Sequence, residues 1–138
     1  MAPYYKFEPG IQAIFNKELD LFGTSDTLKL AIHSDAPTLA TDDELADLTQ
    51  ITGTGYTAGG EDTQNDSTRS GGTVTMTGVD IVWTAGASDW DAGRYFALYD
   101  DTSTGDKLLG GWDYGENFAL LSGETITAGF GSAIMTGA

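Results

Sequence analysis

Apolar positions recur at a period of two along most of this chain, most clearly between Thr73 and Trp83. Val74 and Met76 point one way there, and Thr73, Thr75 and Thr77 the other, as in a half-buried strand. Gly78 interrupts the run as a bulge or tight bend does, and Val79, Ile81 and Trp83 resume it. Residues 27–33 alternate in the same way, with Leu28, Leu30 and Ile32 on the core side and Lys29, Ala31 and His33 facing away. Residues 94–100 are apolar on both faces: Tyr95, Ala97 and Tyr99 on one, Phe96 and Leu98 on the other. That pattern predicts a central strand. Residues 107–114 return beside it across a turn of Asp, Thr, Ser and Gly, with Leu108, Gly110, Trp112 and Tyr114 in one phase. Residues 124–130 place Ile126, Ala128 and Phe130 inward.

Polar breaks separate these runs. The longest, 61–72, holds no large apolar residue and reads as a loop; 85–93 around Trp90 reads as a second. Shorter turns are expected at 34–37, 115–117 and 122–123. Thr41-Asp42-Asp43-Glu44 can open a short helix capped by Thr41 or Asp42, with Leu45 and Leu48 on one face. Short strands joined by glycine turns, with one or two short helices, predict an all-β fold. An antiparallel β-sandwich is expected, with a closed β-barrel as the alternative.

Residues 1–22 stand apart from the single domain expected over 23–138. Tyr4, Tyr5, Phe7, Phe15 and Phe22 are five of the chain's twelve Phe and Tyr residues, yet all precede the first clear strand. Pro3 and Pro9-Gly10 predict an extended start, and Ile11, Ile14, Phe15 and Leu19 then follow helical spacing. Such a segment is either a lid on the domain's own core or an arm that buries aromatics on a neighbour. The interface reading rests on Tyr4, Tyr5, Phe7 and Phe15 and implies a homo-oligomer, with a trimer as the leading state. On that reading a chain starting at Gly23 still folds.

Charge changes the picture next. The 138 residues carry 21 acids against 6 bases, a net charge of −15. The bases Lys6, Lys17, Lys29, Arg69, Arg94 and Lys107 are scattered, which argues against nucleic acid as a partner. An anionic membrane surface would repel the chain, and no run approaches the ~20 apolar residues of a span. The N-terminus does not read as a secretory signal. Cysteine is absent, which removes disulfides, thiolate metal sites and cysteine nucleophiles. Acidity favours solubility or docking to a basic protein surface.

Candidate chemistry is sparse. His33 is the sole histidine, and no nucleophile or orienting acid lies near it in sequence. It reads as an exposed or interface residue. The glycine-rich run 53–59 lacks the spacing of a dinucleotide loop and the Lys-Ser/Thr of a phosphate loop. Asp100, Asp101 and Asp106 begin like a calcium loop, but Gly111 stands where position twelve needs Glu, so a hairpin turn is expected. Asp89, Asp91, Asp113 and Glu116 lie near Trp90, Trp112 and Tyr114, a composition compatible with sugar binding. No catalytic, cofactor or metal residues are assigned.

Seven segments carry a resemblance by their order: 27–32, Ala36-Pro37-Thr38, 45–48, 55–60, 79–83, Arg94-Tyr95 with Leu98-Tyr99, and Trp112-Asp113-Tyr114-Gly115. The series, nearly the whole chain from Thr27 onward, resembles a family of small virion structural proteins of tailed bacteriophages. The resemblance implies a non-enzymatic role in the particle. Head decoration, or cement, is the leading expectation, with the major capsid protein or another virion protein as partner on the head exterior. A neck, tail or head-fibre position and a carbohydrate-binding module are the alternatives.

Overall fold

The computed structural model describes residues 4–21, 25–130 and 134–137. Pro3, Phe22 and the boundary at residue 23 lie outside them. Ten strands and one helix follow in order: β1 (Tyr4–Lys6), α1 (Glu8–Phe15), β2 (Leu28–His33), β3 (Glu61–Asp62), β4 (Asp66–Ser70), β5 (Thr73–Thr77), β6 (Ile81–Thr84), β7 (Gly93–Asp100), β8 (Lys107–Phe118), β9 (Thr125–Ala128) and β10 (Met135–Gly137). A 3-10 turn covers Leu45–Asp47. The strands form an antiparallel five-stranded sheet in the order β1-β8-β7-β2-β3, a three-stranded sheet β10-β5-β4 and the pair β6-β9. The sheets are open and sandwich-like, so the barrel alternative falls.

Strand β7 is central because both its faces are covered. Toward the main core, Phe96 and Leu98 join Leu28, Leu30, Ile32, Leu109 and Trp112, and Ile81, Trp83, Ile126 and Ala128 of the β6-β9 pair close over them. Trp83 stacks on Phe96 with ring centroids 6.1 Å apart. On the opposite face Ala31, Ala97, Tyr99 and Leu108 meet Phe7, Leu45 and Leu48. This second cluster corrects the expectation for His33: the residue is fully buried, as is Ala31, because the face predicted to meet solvent is covered by Phe7, Leu39, Leu45 and Leu48, and the His33 ring itself stacks on Tyr95.

Four further readings change. The polar stretch 61–72 is not one loop: it holds β3 and β4, and β4 pairs with β5 through the two-residue turn Gly71-Gly72. Both glycines have positive φ, as tight hairpin turns require. Polar side chains suit β4 because it lies at a sheet edge, where apolar residues invite aggregation. The turn expected at 115–117 is absent, and β8 runs through to Phe118. Within β8 the register shifts at Leu109, so Leu108 joins the second cluster while Trp112 joins the main core. The helical turn begins at Leu45, with Glu44 as cap in a reciprocal capping box with Asp47.

Candidate functional site

The aromatic segment expected to form an interface is divided by the structure. Tyr4 and Tyr5 pair with Trp112 and Gly111 of β8. Their rings occupy space that Gly110 and Gly111 leave open: a Cβ on Gly110 would overlap the Tyr4 ring. Tyr4 packs on Trp112 at 5.1 Å between centroids. Burial pushes both phenols well above the ordinary tyrosine value. Phe7 is fully buried, with Tyr5 edge-on at 5.8 Å. Its N–H donates to the Leu109 carbonyl at 3.0 Å, and the Glu8 N–H to the Leu39 carbonyl at 2.8 Å. Gly10 then lets α1 sit directly on β8, where any side chain would strike the Leu108 carbonyl.

Phe15 is different. It ends α1 and is 82% exposed, the most exposed large apolar side chain among the described residues. The helix behind it buries Gly10 and Ala13. Of the four aromatics singled out from the sequence, three are packed on this chain's own fold, and Phe15 alone is offered outward on a fixed support.

The other sequence candidates do not converge. His33 Nδ1 lies 2.9 Å from the Asp35 carbonyl, its ring stacks on Tyr95 at 5.3 Å, and its buried Nε2 has no hydrogen-bond partner among the described residues. Burial lowers its pKa, against the opposing pull of the Asp35 carboxylate. Trp90 and Trp112 are buried, and Trp90 donates its indole N–H to the Thr54 carbonyl at 2.8 Å. The nearby acids are engaged separately: Asp91 accepts from Thr52, Asp89 from the Ser122 N–H, and Asp113 holds Arg94 through two hydrogen bonds of 2.8 and 3.0 Å. Only Tyr114 of that set's aromatics is half exposed.

The glycine-rich run 53–59 serves packing. Gly53 lies against the Trp90 ring, and the Gly59 carbonyl accepts the Tyr99 hydroxyl at 2.6 Å. Asp100, the start of the calcium-like loop, is fully buried and caps its own turn, Oδ1 accepting from Thr102 and Ser103 N–H at 2.9 and 3.1 Å. Among the described residues no three carboxylate or histidine side chains are grouped to hold a metal ion, and no helix is long and apolar enough to cross a membrane. An open depression of about 400 Å³ is lined by Glu18, Glu44, Ser103, Thr104 and Lys107. Lys107 bonds Asp43 there at 2.7 Å, so the cation is already matched by an acid.

Sequence reasoning missed the selectivity for Phe15. The signal lay in the helical spacing: Gly10 and Ala13 are the small residues that let a helix approach a sheet closely, and Phe15 falls off their face.

No protein-family model, curated protein or solved structure matches the chain.

Proposed function

We propose that this chain is a non-enzymatic structural protein of a tailed-bacteriophage virion that decorates the head exterior and cements it by bridging capsid subunits. The ordered resemblance from Thr27 onward supplies the virion. The observation that carries the contact is Phe15, an exposed aromatic on a helix anchored by β1 and the buried Phe7. Aromatic anchors of this kind dominate the energy of protein contacts. The net charge of −15 suits a basic surface on the capsid subunit. A trimer is the proposed assembly, because decoration at three-fold positions repeats one contact symmetrically.

Quantitative mass spectrometry of purified particles tests the placement. Hundreds of copies support head decoration, whereas about six to twelve place the chain at the neck or tail, where ring symmetry limits copy number. Absence from washed particles refutes the virion role. In a binding assay with particles stripped of this protein, Phe15→Asp is expected to bind at least tenfold more weakly at unchanged thermal stability.

A further inference from the structure

Asp100 lies at one end of the central sheet, where three connections meet. The 16–27 connection enters through Asp26, whose Oδ2 accepts the Asp20 N–H at 2.6 Å. The 63–66 connection enters through Asn65, which donates Nδ2–H to the Asp26 carbonyl at 2.8 Å and accepts the Leu28 N–H at 2.8 Å. The 100–106 turn is tied to the same place: Thr27 N–H donates to Thr102 Oγ1, and Asp101 N–H to the Thr27 carbonyl, each at 2.9 Å. At this junction the Asp100 side chain is fully buried. Its Oδ1 is satisfied by the turn, and no donor among the described residues reaches Oδ2. The Asp26 carboxyl lies within hydrogen-bonding reach. Two ionised carboxylates in that arrangement have only lone pairs to present to each other. A proton on Asp100 turns repulsion into a strong hydrogen bond.

We propose that the buried Asp100 carboxyl keeps a proton, donates it to the Asp26 side chain and so acts as a latch joining these three connections, released when that proton is lost. The surrounding charges set its direction. Lys29 and Asp101 bridge each other at 3.2 Å, leaving Lys29 already matched, and Asp106 lies further along the turn as another acid. The balance around the pair is therefore negative, and retaining the proton relieves it. Burial, with Asp26 beside it, raises Asp100 to about 7, so the latch is closed in acid and loosens as pH rises toward neutrality. Because Asp20 hangs from Asp26, opening loosens the connection that follows α1, the helix carrying Phe15.

Hydrogen exchange of the full chain, corrected for intrinsic rates, measures the opening. Between about pH 4, near the free aspartate value, and pH 7, amides in 16–21, 25–27 and 101–103 are expected to lose protection by up to tenfold per pH unit, the one-proton limit, and to level off above about pH 7, while β7 amides hold. In Asp100→Asn the amide donates permanently to Asp26, and the slope should vanish with protection at pH 8.5 equal to or above the natural chain. Asp26→Asn makes the same test should the first variant fold poorly. A slope unchanged in both variants overturns the proposal. So does suppression of the slope by millimolar calcium in the natural chain, which would make the pair a cation site instead.

Discussion

Truncating Phe7 to alanine distinguishes an arm that is part of the core from one that only lies on it. The ring is wholly buried among Ala31, Leu45, Leu48, Ala97, Tyr99 and Leu108. Hydrogen bonds from Phe7 and Glu8 fix the backbone on either side, so the segment cannot settle into the vacated space. Losing a buried Phe side chain costs ~3–5 kcal/mol, and the upper half of that range applies where the walls are paired strands that relax little. Against a total stability of ~5–15 kcal/mol, that is a third or more for an average domain. Urea unfolding followed by tryptophan fluorescence measures it, and the urea dependence should keep its slope. Phe15→Ala is the control, expected to change stability by less than ~0.5 kcal/mol because the ring meets solvent. A loss under about 1 kcal/mol for Phe7→Ala, or equal losses for both, refutes the reasoning. The sequence alone pointed to a chain from Gly23 that folds; with β1 and Phe7 placed as they are, that truncated chain is expected to unfold.

Trp83→Ala should cost ~3–5 kcal/mol, but Trp83→Phe less than ~2 kcal/mol, because removing the indole also removes a buried N–H that has no partner among the described residues; equal losses in urea melts would count against this. Gly10→Ala should lower the melting temperature clearly despite alanine's better helix propensity, since its methyl meets the Leu108 carbonyl; a higher melting temperature would show that α1 can lift off β8. Burial lowers the His33 pKa, so the unfolded chain takes the proton first. The stability owed to the neutral ring is complete above the free histidine value of about 6.5 and declines as pH falls below it. His33→Gln should therefore flatten the acid limb of stability between about pH 7 and pH 5, and an unchanged limb would show that His33 is not its source.

Strands whose apolar positions alternate were legible in the sequence. Leu28, Leu30 and Ile32, the β7-β8 hairpin, and Ile126 with Ala128 were read correctly because burial on one or both faces leaves that imprint. Strand β4 was not, because an edge strand of Asp, Ser, Thr and Arg has the composition of a loop. Only Gly71-Gly72, at the spacing of a two-residue hairpin, marked it. His33 was misjudged because the cover over that face comes from residues distant in sequence, Phe7, Leu39, Leu45 and Leu48 among them, which no local period records. The phase error in β8 arose from the extra residue at Leu109, which resets the alternation without changing composition. At the candidate surface, the aromatic content of the first 22 residues was plain. Which ring would stay outside depended on Gly110 and Gly111, about a hundred residues away, making room for Tyr4 and Tyr5.

The pairing of Tyr4 with Trp112 also sets the order of events during synthesis. The first strand leaves the ribosome with nothing to pair with. At roughly 5–20 residues per second, its partner on β8 is made about 5–20 s later. For that interval Tyr4, Tyr5 and Phe7 travel as unpaired aromatics on a growing chain, and the five-stranded sheet closes only once β8 has been translated. Nascent copies are thus exposed to mispairing through β1, and a neighbouring copy's β8 is the surface on which that strand would fit.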